Sequence, residues 1–315
     1  LSINLYKVMN MKNDKLYPLF FVPVYKDYLW GGTRIKKEFN RSISNSPVAE
    51  SWEISCHEHG LSMIENGPLK GVSLQSVFQS HKNQLMGRHS HLKRFPLLIK
   101  LIDASENLSI QVHPFSGAES KTECWYFLDS HQDSKIFAGL NQTLTKEKID
   151  AKLPNKEILD IMHHVPACKD TLAFIPGGSL HAIGKGCFIL EIQQNSDTTY
   201  RVYDWGRGRE CHIDQAKSVL NYQVSNSPIQ SPKVIKKCSD YTCEELLKTP
   251  YFCVERWSIY KKMRWDKLKN QCEFLFCISG ENSFVPKGRS CLLPADCPTP
   301  LVDTLNSTFI RAYLP

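Results

Sequence analysis

The chain has 315 residues, of which 42% are hydrophobic and 23% charged, with a formal net charge of +7 at neutral pH. This composition excludes collagen-like and broadly disordered classes, and the length is ample for one large core or two smaller ones. The basic residues are scattered and no apolar stretch reaches about 18 residues, so neither a nucleic acid nor a membrane is an expected partner.

Residues 1–10 carry no pattern and are expected to lie outside the fold. Residues 16–25 are apolar, but Pro18 and Pro23 break them and no small-residue cleavage site follows. They lack the form of a signal peptide, and a cytoplasmic protein is expected. In that setting the 12 cysteines read as reduced thiols. No Cys-x-x-Cys pair occurs, so a metal site would rest on His and carboxylate.

From Phe20 onward short apolar runs alternate with Pro, Gly, Asn and Ser, the habit of a mainly β chain. Three helices interrupt it. Ser73 caps one that carries Leu74, Val77, Phe78 and Leu85 inward and stops at Gly87. A second begins near Thr145, with Asn155 capping a continuation that buries Ile158, Leu159 and Met162. A third covers residues 214–220. Residues 225–237 (SNSPIQSPKVIKK) hold two prolines without periodicity and read as a linker. They separate a domain over residues 11–224 from a smaller one over residues 238–315. Strand-like runs return at 251–260, 273–278, 290–293 and 308–313, and a β-sandwich or barrel suits the whole.

The chemistry concentrates in four segments. In LSIQVHP (residues 108–114), strand alternation puts Leu108, Ile110 and Val112 on one face. Ser109, Gln111 and His113 take the other, where a polar pair inside a barrel needs a partner such as a metal ion. Glu123 follows in KTECWYFL, ahead of an aromatic strand. In FIPGGSLHAIGKG, a Pro–Gly turn delivers His181 a fixed distance on. Gln111, His113, Glu123 and His181 together suit zinc. A single histidine is more often a hydrogen-bonded structural residue, and His163 and His164 have no stronger claim than that. Asp197 and Arg201 stand four apart in NSDTTYRVYDWGR. Taken alone they read most simply as a surface ion pair; inside a cavity they would move a proton and clamp a phosphate or polarise a carbonyl.

Taken in order, VPVYKDYLWGG, ESWEIS, FPLLIKLIDASENLSIQVHP, KTECWYFL, IPGGSLHAIGKG and EIQQNSDTTYRVYDWGR resemble the class I mannose-6-phosphate isomerases in their short form, nearly end to end. The resemblance implies a cupin (jelly-roll) barrel with a helical insertion, followed by a smaller cupin-like β domain. It implies one zinc ion per chain on Gln111, His113, Glu123 and His181, and a small sugar phosphate as substrate. Lys100 and Lys121 match lysines at the substrate, while Asp197, Arg201 and Lys121 match catalytic positions, with Glu191 an alternative base. The reaction it implies interconverts mannose 6-phosphate and fructose 6-phosphate through a cis-enediol, in a monomer or weak homo-oligomer.

Four departures stand out. Ser120 stands where the family's longer members carry a histidine associated with ring opening, and the loop over residues 115–120 is shorter than in typical short-form members. Asp170 stands where a turn glycine is common, and residues 279–290 look trimmed, so the second barrel is expected to be small or incomplete. An iron-dependent cupin oxygenase and a non-catalytic sugar-binding cupin are the competing readings.

Overall fold

The computed structural model describes residues 15–44 and 47–315; the expectation for residues 1–10 lies outside them. The chain forms two compact units. One comprises residues 25–51 and 99–230; the other comprises residues 231–315 with residues 52–98 and the described residues up to Val24.

The first unit is a sandwich of two antiparallel sheets. Its five-stranded sheet runs in the order Met162–Pro166, Lys135–Leu140, His181–Ile183, Ile110–Val112, Tyr200–Tyr203. The central strands of its seven-stranded sheet are Leu172–Ile175, Glu123–Ser130, Cys187–Gln194 and Leu97–Asp103. Trp125, Phe127, Ile136, Ala173, Ile183 and Ile189 fill one core cluster. Ile110, Val112, Phe137, Leu180 and Val202 belong to another, together with Ile149 and Ala216 from two helices. Ile110 and Val112 therefore face the helices while Gln111 points the opposite way, as period-2 alternation requires. Leu108 departs from the expected face and joins the Trp125 cluster, because the strand begins only at Ile110.

The helices lie where the sequence puts them, with local differences. Ser73 Oγ accepts from Ser76 N at 3.1 Å and caps Leu74–Ser80. The expected single helix breaks at His81 (φ −120°, ψ 34°) and resumes as Lys82–Met86. Beside the break, the Ser80 hydroxyl back-bonds Ser76 O at 2.6 Å, a competitor of the helical ladder. Gly87 ends it at φ 58°, where a Cβ would meet Asn270 O at 2.2 Å. Lys146–Lys152 follows Thr145, and Asn155 opens a 3₁₀ turn, Lys156–Ile161, burying Ile158 and Ile161. Met162 is buried too, but as the first residue of a strand. Ile213–Val219 is the third helix.

The second unit is built on an eight-stranded antiparallel sheet. Besides the C-terminal strands, it takes in Leu19–Val22, which pairs with Ser290–Leu293, and Met63–Ile64. The expected division at 225–237 gave these early strands to the first domain. Pairing with distant strands, which local periodicity cannot register, puts them in the second unit instead. Residues 225–237 also differ from a plain linker. Ile229–Gln230 pairs with Leu172–Ile175, and Lys233–Lys237 pairs with Tyr241–Lys248. All five residues of the latter strand are exposed, so backbone bonds hold it with no buried face to mark it in the sequence.

Inside the second unit, Arg311 is 2% exposed and bonds Glu255 Oε2 at 2.9 Å and Glu273 Oε2 at 3.3 Å. The indoles of Trp257 and Trp265 donate to the same carboxylates at 2.8 and 3.0 Å.

All twelve cysteines are free thiols. Among the described residues no helix is long and apolar enough to cross a membrane.

Candidate active site

The site of the first unit is assembled by strand pairing and one glycine turn. His181 pairs directly with Gln111 across the five-stranded sheet, and His113 stands just beyond the end of Ile110–Val112. The turn at Pro176, Gly177 and Gly178 lies against that end. Gly178 N donates to His113 O at 2.8 Å. A Cβ on Gly177 would fall 2.7 Å from Pro114 O, so only glycine permits the approach. Glu123 opens the facing strand Glu123–Ser130.

The result is a buried convergence of ligand-type atoms. His113 Nδ1–H donates to Thr198 O at 2.8 Å, and His181 Nδ1–H donates to Ser179 O at 2.9 Å. Both Nε2 atoms therefore carry lone pairs, and they face each other 3.2 Å apart. Glu123 Oε2 lies 3.5 Å from His113 Nε2, and Oε1 lies 3.5 Å from His181 Nε2. The Gln111 carboxamide completes the ring 3.3 Å from His181 Nε2, and a half-turn of the amide offers its oxygen there.

Burial pushes both imidazoles down, His181 to about 4 and His113 well below its ordinary value, with the Lys121 ammonium adding to the effect on each. Both are thus neutral at pH 7, the form that binds metal. Burial raises the Glu123 carboxyl, and the Lys121 ammonium, 3.1 Å away, opposes it.

His113 Nε2 accepts from the Lys121 ammonium at 3.0 Å, and a metal ion seated in the cluster would take both imidazole lone pairs. Nitrogens bound at about 2.0–2.1 Å to a tetrahedral ion stand about 3.3–3.4 Å apart, close to the spacing present here. Two imidazoles, a carboxylate and an amide oxygen fit zinc.

Beside this cluster opens a cavity of about 230 Å3, lined in part by Lys100, Gln111, Lys121, Glu123, Asp197 and Arg201. Glu191 lines it as well, whereas His113 and His181 do not and lie against Gln111 and Glu123, which do.

Lys100 is buried between Glu50 and Glu191, 3.5 Å from each. Burial alone would lower its pKa, but Glu50, Glu191 and Asp197 outweigh it and hold the ammonium charged. Burial likewise opposes ionisation of Glu191. Lys100, Lys121 and the Trp125 indole, which donates to Oε1 at 3.1 Å, overcome it and keep the carboxyl below its usual value. Lys121 donates to His113 Nε2 at 3.0 Å.

Arg201 Nη1 donates to Glu210 O at 2.7 Å, while its Nε is buried without a partner. Ser120 does not line the cavity and accepts from the Gln194 amide at 3.2 Å. His163 and His164 bond backbone carbonyls at 2.9 Å, as structural histidines do.

Sequence reasoning missed Glu50, Tyr28, Trp30 and Arg209, which also line the cavity. Glu50 was findable, since a glutamate beside buried Trp52 in ESWEIS needs a buried cation. Arg209 carried no signal of its own.

Fold and cavity together define an enzyme of the cupin class. A family model for the phosphomannose isomerase type I catalytic domain matches residues 19–142. The mannose-6-phosphate isomerase ManA of Bacillus subtilis is 35% identical over 304 residues, which span 88% of this chain and 93% of that protein. The mannose-6-phosphate isomerase of Streptococcus mutans is 35% identical over 255 residues, 77% of this chain and 79% of the relative. The crystal structure of the Bacillus subtilis mannose 6-phosphate isomerase matches with a TM-score of 0.85 at 28% identity, over 94% of this chain and 99% of that one. The chain belongs to the type I phosphomannose isomerase family.

Proposed function

We propose that this enzyme interconverts mannose 6-phosphate and fructose 6-phosphate through a cis-enediol, with one zinc ion on Gln111, His113, Glu123 and His181. The observation that carries the reading is the buried His113–Glu123–His181 cluster, its donor atoms within 4.8 Å of one another, beside a cavity lined with lysine and arginine. Bound there, zinc would polarise substrate oxygens as a Lewis acid.

The chain's own groups would supply the rest. Asp197, on the cavity wall, takes the C2 proton of the open-chain aldose. The C2–H electron pair becomes the double bond of the enediol as the carbonyl oxygen O1 is protonated. Return of the carried proton to C1, with loss of the O2 proton, completes the ketose. Lys121 stands beside Glu123 and faces the oxygens on which negative charge develops. Arg201, with its unpartnered Nε, contacts the substrate next to Asp197. Lys100, fixed between Glu50 and Glu191, offers an ammonium to a sugar hydroxyl. Glu191 serves less well as the base, because the Trp125 indole holds Oε1, the Lys100 ammonium stands 3.5 Å from Oε2, and its pKa is lowered. A reducing, cytoplasmic setting belongs to this reading, since it keeps twelve thiols unpaired.

The test is conversion of mannose 6-phosphate by purified protein before and after chelation. Activity lost to chelator and restored by zinc supports the assignment. A fully zinc-loaded protein without turnover contradicts it.

A further inference from the structure

Residues 115–120 line no part of the cavity, yet the end of this short loop is fastened to the turn that carries Asp197. Thr122 N donates to Gln194 Oε1 at 2.9 Å, and Gln194 N donates to Thr122 O at 3.1 Å. The Gln194 amide also reaches Ser120 Oγ at 3.2 Å, which gives Ser120 a place in the fastening. Gln193, fully buried, donates from Nε2 to Ser196 O at 2.6 Å.

Glu119 closes the other side of the turn. Thr198 Oγ1 donates to Glu119 Oε2 at 3.1 Å. The fully buried Ser196 hydroxyl lies 3.2 Å from the same oxygen and 3.1 Å from Glu119 O, and it accepts from Thr198 N at 3.2 Å. One carboxylate oxygen therefore meets the residues on both sides of Asp197, which lines the cavity. Thr198 carries the effect further, because its carbonyl oxygen takes His113 Nδ1–H at 2.8 Å. That bond fixes the tautomer and the ring orientation that point Nε2 into the buried cluster. A plain loop fastening would have no reason to end on these two residues. The clasp joins the wall of the cavity to one of the imidazoles.

We infer that Glu119 is a positioning residue for the reaction: it clamps Ser196 and Thr198, and so holds Asp197 at the substrate and His113 at the metal together. Because both hydroxyls converge on one oxygen, the clasp needs an acceptor at that point rather than a charge. The inference rests on the reading of Asp197 as the base and of His113 as a zinc ligand.

The test compares Glu119→Ala, Glu119→Gln and Thr198→Val by steady-state turnover of mannose 6-phosphate and by zinc affinity in competition with a chelator. Glu119→Ala should lower kcat of the zinc-loaded enzyme roughly 10- to 100-fold with KM within about threefold, and should weaken zinc by a similar factor. Glu119→Gln keeps an acceptor oxygen and should recover most of both losses. Thr198→Val deletes one of the two hydroxyls and should weaken zinc by less. It should add nothing when combined with Glu119→Ala, since its hydroxyl acts through that carboxylate.

A lowered unfolding midpoint in Glu119→Ala with kcat and zinc affinity intact would overturn the inference, as would equal losses in Glu119→Gln. If Glu119→Ala does not fold, Thr198→Val decides by the same zinc measurement. If the parent enzyme turns over no mannose 6-phosphate, the substrate reading falls, and zinc affinity still decides the clasp. Weaker zinc in the variants supports it, and equal affinity overturns it.

Discussion

Each of the two units encloses charged groups, and they settle those charges differently. In the second unit, Arg311 meets Glu255 and Glu273, two indoles donate to the same carboxylates, and Tyr313 OH bonds Glu255 Oε1 at 2.8 Å. Its guanidinium also lies 4.7 Å from the Trp257 ring centroid. The network is closed, with donors and acceptors matched inside the protein. In the first unit, two imidazole lone pairs, a carboxylate and an amide converge beside a cavity of about 230 Å3, with Lys121 the nearest cation. That network is open and gains from an external cation and an anionic ligand. A buried charge cluster marks a functional site when its own partners leave it incomplete, and a structural one when they do not.

The largest test of this contrast is Arg311→Met, which leaves two buried carboxylates unpaired and should cost about 3–5 kcal/mol of stability. Denaturant unfolding measures that loss, and turnover per folded molecule should stay at the parental level. A selective loss of kcat would give the closed network a part in catalysis.

Acid should separate the units next. His113 and His181 have folded-state pKa values lowered by burial, His181 to about 4 from 6.5. The unfolded chain binds those protons first as the pH falls. Their contribution to stability is therefore full above pH 6.5 and is lost as pH falls toward about 4. Glu255 is held below 4.5 because Arg311 and its hydrogen-bond donors outweigh burial, so its contribution is full above that value and is lost only as the pH falls below it. Burial raises Glu273, which shifts stability the opposite way, toward acid. In chelator, amide protection, corrected for the intrinsic slowing of exchange in acid, should fall in the first unit between pH 7 and 5, where two histidines outweigh the raised Glu123 that opposes them, and change little in the second. An equal fall in both would erase the distinction.

The smallest test makes one substitution twice. Trp125→Phe removes the donor to Glu191, and Trp257→Phe removes the donor to Glu255. The first should lower kcat/KM roughly three- to tenfold, because Glu191 faces Lys100 on the cavity wall. The second should leave kcat/KM alone and cost about 1–2 kcal/mol of stability.

The sequence exposed the open network well and the closed one hardly at all. Gln111 and His113 were legible because strand alternation sets them on one face, and His181 because Pro176 and Gly178 mark a turn. Ser73, Asn155 and Gly87 announced helix ends through capping chemistry. Arg311, Glu255 and Glu273 carried no local signal, since their pairing depends on strands brought together from distant parts of the chain. The same cause hid the membership of Leu19–Val22 in the second unit. The pairing of Arg209 with Asp204 was missed because it depends on positive φ at Trp205, Gly206 and Gly208. Glycines announce a turn but not what the turn returns to. Asp197 and Arg201 needed the family resemblance, as spacing alone favoured a surface pair.

The most direct measurement is the metal content of the purified chain and of His181→Ala, by mass spectrometry after equilibration with zinc and removal of free ion. The open and closed networks predict a single zinc ion per chain, lost in His181→Ala while the fold persists. Zinc retained by that variant, or none bound by the parent, would contradict the assignment of the cluster as the metal centre.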